Sequence, residues 1–136
     1  MDRILNNKKL QALIFAAMLI LIYATFLAPS ENDHQVINVN PQQAQELIAG
    51  EPDLIILDVR EPHEFQEGHI PGAIIIPLGV LKDNLNALDS SSPILLVCRS
   101  GNRSMQAAGI LLDEGYKELY NLSGGMLDWP YNTQTD

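Results

Sequence analysis

Three stretches of four apolar residues, Leu54–Leu57, Ala73–Ile76 and Ile94–Val97, carry no polar position for either face. A strand wetted on one side alternates; an unbroken apolar run needs cover on both, which a parallel sheet obtains from flanking helices. Helical spacing fills the gaps between these runs. Asn40-Pro41 reads as N-cap and first helical residue, followed by Ala44, Leu47 and Ile48 on one face and Gly50 as the stop. Leu78, Leu81, Leu85 and Leu88 recur at helical intervals, and a helix is predicted over Ser104–Glu114, with Ser104 as N-cap and Gly115 as the stop. Glu61–Phe65 predicts one helical turn closed by Gly68. Val36–Val39 and Leu119–Leu122 supply two further short strands, and Gly124-Gly125 turns the chain toward Trp129, which is expected to close the core. The pattern predicts a three-layer α/β/α domain over residues 36–133, with a five-stranded, mostly parallel sheet.

A different texture precedes it. Residues 10–28 are almost wholly apolar, interrupted only by Gln11, Tyr23 and Thr25. Nineteen residues make about 28 Å of helix, the thickness of a bilayer's hydrocarbon core. Arg3, Lys8 and Lys9 lie before the run, Glu31 and Asp33 after it. The bias of basic residues leaves a short N-terminus, residues 1–9, in the cytoplasm and carries the domain to the extracytoplasmic, or periplasmic, side of an inner membrane. Residues 29–35 read as a polar linker. The run exceeds the core of a usual signal peptide, and the small residues Ala28 and Ser30 make poor cleavage sites around Pro29, so a retained anchor fits better than a cleaved signal. Release into the periplasm after cleavage is the alternative.

From Pro29 onward five Lys/Arg face sixteen Asp/Glu, a net charge of −11. Such a surface argues against nucleic acid and against anionic lipid as partners. The chain holds a single cysteine, which excludes an internal disulfide. Three scattered histidines beside it give no metal-ligand spacing, and no cofactor is expected.

That cysteine opens Cys98-Arg99-Ser100-Gly101-Asn102-Arg103-Ser104, directly after an apolar strand and before a helix. In parallel sheets ligands collect at the carboxyl ends of strands. A thiol there meets successive backbone N–H groups and the positive end of a helix dipole, with two of the domain's five basic residues beside it. Each influence favours thiolate over thiol. Gly101 allows the sharp curl, and Ser100, Asn102 and Ser104 offer polar side chains to the loop or a ligand.

Asp58-Val59-Arg60-Glu61, Glu64-Phe65, Gly68-His69-Ile70-Pro71-Gly72-Ala73, the loop Cys98 to Arg103, and Leu122-Ser123-Gly124-Gly125 with Trp129 occur in this order. Together they resemble a single-domain rhodanese, of the thiosulfate sulfurtransferase family, over roughly Val36 to Trp129. Ile75 departs from the pattern, since many members carry a polar residue there, often Asn. The resemblance implies that Cys98 is a nucleophile that carries sulfur as a persulfide. It also implies that the loop from Arg99 to Ser104 binds a small anionic donor of the thiosulfate type, with a thiol or cyanide as acceptor. Arg99 and Arg103 are expected to hydrogen-bond its oxyanion. Asp58 and Arg60 are expected to brace the site by ion pairing, with Glu64 as a further partner. His69 is expected to fix its Gly-Pro-Gly turn rather than act as a base, and His34 and His63 to be exposed.

Two other functions fit parts of this pattern. Cysteine-dependent phosphatases also close a cysteine loop with an arginine, but place five residues between the two; here four separate Cys98 from Arg103. The tighter loop suits one sulfur atom at its centre. A non-catalytic module that binds sulfide or a partner through the same fold is the second alternative, against which the retained cysteine argues.

Overall fold

The computed structural model of the protein describes residues 7–27 and 35–135. The chain divides into two units, an N-terminal helical one and an α/β domain. Residues 1–6, Ala28 and the linker positions 29–34, including His34, lie outside the described residues. Helix α1 spans Lys8–Ile22 and continues as a π-helical turn, Tyr23–Leu27. The Asn7 side chain caps it by accepting the Lys9 N–H at 3.1 Å. The stretch Lys8–Thr25 is long and apolar enough to cross a membrane.

The domain runs β1 (Val36–Val39), α2 (Pro41–Gly50), β2 (Ile55–Asp58), α3 (Pro62–Glu67), β3 (Ile74–Ile75), a 3₁₀ segment (Leu78–Ala87), β4 (Ile94–Val97), α4 (Asn102–Asp113), β5 (Leu119–Leu122) and a 3₁₀ turn (Gly125–Asp128). The strands form one sheet in the order β1-β5-β4-β2-β3, and every pairing is parallel. Central β4 is fully buried. Its alternation divides the core. Ile94, Leu96 and Cys98 join Ala107, Ala108 and Leu111 of α4 and Leu81 of the 3₁₀ segment on one face. Leu95 and Val97 join Val39, Ala44 of α2, Ile56 and Ile70 on the other, with Trp129 packed against them. The cysteine therefore belongs to the α4 layer.

Local chemistry explains the element ends. Asn40 and Gln43 form a reciprocal cap on α2, each side chain accepting the other's backbone N–H at 2.9 Å, with Pro41 in the first turn. Strand β3 is shorter than the predicted Ala73–Ile76. It is an edge strand held only by β2, and Ile74 is consequently exposed. The leucines at 78, 81, 85 and 88 sit on a 3₁₀ segment rather than an α-helix. Their spacing is three, four, three, and the kink at Asn84 (φ −123°) falls inside the four-residue step. Helix α4 starts at Asn102, two residues before the predicted start, because Gly101 takes a left-handed conformation (φ +98°) and turns the chain into the helix at once. Ser104, expected as the N-cap, instead lies in the first turn, fully buried.

The end of β2 is locked by a buried ion pair. Arg60 donates through Nε to Asp58 Oδ1 at 3.0 Å and through Nη2 to Oδ2 at 2.7 Å, and its Nη2 also reaches the Gly68 carbonyl at 2.8 Å. Both residues are almost completely enclosed. Removing one partner strands the other charge away from water. Asp58→Ala is expected to cost about 3–5 kcal/mol of stability in urea unfolding of the full chain, with much of the loss recovered by Asp58→Leu/Arg60→Met.

Candidate active site

The carboxyl end of β4 delivers Cys98 to the loop. The outer edge of that loop is held by the turn after β5: Met126 N–H donates to the Cys98 carbonyl at 2.9 Å and Leu127 N–H to the Arg99 carbonyl at 3.0 Å. This contact requires Gly125. A Cβ there would lie 2.5 Å from the Cys98 oxygen and from the Arg99 carbonyl carbon and oxygen. Tying the Arg99 carbonyl outward turns the Ser100 N–H of the same peptide unit toward the loop's interior, and one residue further on the Gly101 N–H donates to Cys98 Sγ at 3.0 Å.

The thiol is buried and surrounded by donors. Burial alone pushes its pKa up. The Ser104 hydroxyl and the backbone N–H groups of Ser104, Gly101 and Ser100 outweigh that effect and hold Cys98 below the usual thiol value. Hydrogen bonds rather than arginine charge carry this shift.

The two arginines differ. Arg103 donates to Glu64 of α3 through Nη1 and Nη2, each at 2.7 Å, a two-pronged pair that ties α4 to α3. Arg99 is exposed and has no ion-pair partner among the described residues. Glu64, expected beside Asp58 and Arg60, is thus engaged by Arg103, while it also accepts the Glu61 N–H at 2.9 Å. His69 is buried in its turn, with Nδ1 3.0 Å from the Phe65 carbonyl, its ring stacked on Phe65 at 3.7 Å, and its backbone paired with Gln134. His63 is exposed. Ile75, the departure from the family pattern, lies half-buried on β3.

Three features escaped the sequence reading. Glu64 as the Arg103 partner had no local signal, since 39 residues separate the two. The demand on Gly125 arises from a close approach between distant segments. Asn121 did leave a trace: it is a polar residue at an inward position of the otherwise apolar β5, and it accepts the Ser104 hydroxyl at 2.5 Å. A cleft of about 460 Å³ between α2 and the Trp129–Asn132 segment shares no residue with the cysteine loop. Trp129, expected to close the core, packs on it with one side and lines this cleft with the other.

A fully parallel α/β domain with a cysteine loop at the end of its central strand defines the class. Residues 40–131 match the Rhodanese-like domain family, and the chain belongs to that family. It is 35% identical over 105 residues to the putative sulfur carrier protein YrkF of Bacillus subtilis, covering 77% of this chain and 57% of that protein. It is 36% identical over 91 residues to the thiosulfate sulfurtransferase GlpE of Ectopseudomonas mendocina, covering 67% and 82%. Among solved structures, a rhodanese-like domain protein from Staphylococcus aureus superposes with a TM-score of 0.69 at 26% identity, covering 74% of this chain and 99% of that one.

The Arg103 pair holds the Glu64 carboxyl far below the usual carboxylate range, from 4.5 to about 2, against a smaller upward push from burial. The folded-state value lies below the unfolded one. The contribution is therefore complete above about pH 4.5 and disappears as pH falls through about 2. Glu64→Gln is expected to lower stability at neutral pH by roughly 1–2 kcal/mol, allowing for partial exposure. It should also flatten the fall in unfolding free energy between pH 4.5 and 2. Denaturant titrations across that range measure both.

Proposed function

We propose that this domain transfers sulfane sulfur from an anionic donor of the thiosulfate type to a nucleophilic acceptor, by way of a persulfide on Cys98. The observation that carries this reading is the Cys98 sulfur itself, held by an inward N–H at 3.0 Å at the mouth of α4 and more acidic than an ordinary thiol. In the first step the thiolate attacks the outer sulfur of thiosulfate. The new S–S bond forms as the donor's own S–S bond breaks, and the electron pair of that bond leaves with sulfite. The outer sulfur of the persulfide now carries the negative charge and lies where the loop N–H groups can stabilise it. In the second step a thiol or cyanide takes that sulfur and regenerates the thiolate. With one cysteine in the chain, no internal thiol can resolve the persulfide.

Arg99 is the cation available to the donor, since Arg103 is already neutralised by Glu64. Its charge counters the acidic domain at contact distance, where repulsion from charges beyond about 8 Å is screened. The apolar helix at the N-terminus would anchor the domain to the inner membrane, with the sulfur chemistry on the periplasmic side and close to membrane-bound partners.

Intact-mass measurement of thiosulfate-treated protein tests the reading. The native chain should gain one sulfur atom and Cys98→Ser none; equal uptake by both, or uptake by neither, overturns it. Steady-state kinetics test the division between the arginines. Arg99→Ala should raise the KM for thiosulfate by roughly three- to tenfold, as expected for one lost charge-assisted contact. Arg103→Ala should change that KM by no more than about twofold while lowering stability.

A further inference from the structure

An unbroken line of hydrogen bonds runs from the cysteine sulfur to the edge of the sheet. Cys98 Sγ lies 3.3 Å from Ser104 Oγ, Ser104 Oγ donates to Asn121 Oδ1 at 2.5 Å, and Asn121 Nδ2 donates to Asn38 Oδ1 at 2.8 Å. Cys98 and Ser104 have no exposed surface, Asn121 is 3% exposed, and Asn38 is exposed on edge strand β1. Asn38 and Asn121 are direct register partners. In this arrangement the Asn121 amide nitrogen is engaged by Asn38 and its oxygen faces Ser104.

A serine hydroxyl has one proton. With that proton on Asn121, Ser104 presents only a lone pair to the sulfur, and a neutral Cys98 completes the line by donating its own S–H. An ionised Cys98 has no proton to give. Ser104 must then rotate its hydrogen onto the sulfur and abandon Asn121. We propose that Asn121 is a positioning residue that competes with Cys98 for the Ser104 proton, making the Ser104 hydroxyl a two-position switch between the thiol or persulfide state and the thiolate state.

The consequence for the reaction rests on the persulfide reading above. In the persulfide the charge resides on the outer sulfur, Sγ is bonded to two atoms, and the hydroxyl returns to Asn121. The Ser104–Asn121 bond is therefore present before and after sulfur loading and absent only in the free thiolate. It leaves the thiolate less stabilised, hence more nucleophilic, and favours the loaded state. Charged groups on the surrounding elements are Arg99 and Arg103 on the loop and α4, Glu61 and Glu64 at α3, the Asp58–Arg60 pair at the end of β2, and Asp128 after β5. None of these is altered when Asn121 is exchanged for a neutral residue, so their influence cancels in that comparison.

The test titrates Cys98 in the reduced, sulfur-free full chain in detergent by thiolate absorbance in the ultraviolet, with Cys98→Ser as the blank. Asn121→Leu frees the Ser104 proton and should lower the Cys98 midpoint by about one unit, tenfold in thiolate at a pH below it. In a Ser104→Ala background the same exchange should move nothing. An unchanged or raised midpoint in Asn121→Leu, or a shift that persists without the Ser104 hydroxyl, overturns the proposal. If the leucine variant does not fold, Asn121→Asp keeps the acceptor and strengthens it. Its midpoint should rise, by about one unit less when Ser104 is alanine; a fall, or a rise undiminished without Ser104, overturns the proposal. This titration needs no sulfur donor, so the absence of any persulfide would sink the sulfur-transfer reading while leaving the proton competition measurable. Where persulfide does form, sulfite should discharge it from Asn121→Leu at about tenfold lower concentration than from the native chain. An unchanged discharge curve would overturn the claim that the switch favours the loaded state.

Discussion

The approach of Gly125 to the Cys98–Arg99 peptide is the constraint on which the site depends. Only a residue without a Cβ lets the turn after β5 touch the loop there, and only that contact places the Met126 and Leu127 N–H groups on the loop's two outer carbonyls. A peptide unit whose carbonyl is tied outward carries its partner groups to the opposite side. The thiol then sits among donors without any of them coming from a charged side chain. On the persulfide reading proposed above, fixed backbone dipoles would serve both the thiolate and the persulfide and need not reorganise as the charge moves by one atom.

The same geometry assigns separate roles to the charges around the loop. Arg103 closes a pair with Glu64 that fastens the start of α4 to α3, while Asp58 and Arg60 fasten the end of β2 to the carbonyl of Gly68. Both pairs brace the rim of the sheet from the side on which Cys98 emerges. Of the two loop arginines Arg99 alone remains exposed, in a chain whose net charge from Pro29 onward is −11. Lys82 and Lys117 are also exposed, but elsewhere in the chain, so at the loop itself the unpaired positive charge comes from Arg99.

The layout of the fold was legible because each of its elements is local. Continuous apolar tetrads, an Asn-Pro cap and a Gly stop are properties of neighbouring residues, and they place β2, β4, α2 and the cysteine loop correctly. Where the sequence misled, a residue or segment outside the motif itself decided. Ala73–Ile76 is as apolar as Ile94–Val97, yet it occupies the sheet's edge and pairs for two residues only. Ser104 carries every mark of an N-cap, but Gly101 starts the helix before it and turns its hydroxyl into the core.

Asn121 shows how such a residue can still be found. An amide on the inner face of a buried strand is costly unless its hydrogen bonds are complete, so its presence there signals partners that the linear sequence does not reveal. Those partners are Asn38, set opposite by the parallel register of β1 and β5, and Ser104, brought in by the early start of α4. Replacing any one of the three would leave a polar group of the others seeking a new partner, and for Ser104 the nearest alternative is the cysteine sulfur. The polar line through the core thus links the register of the sheet to the hydrogen-bond partners of the cysteine, a link that neither the fold nor the loop motif alone would specify.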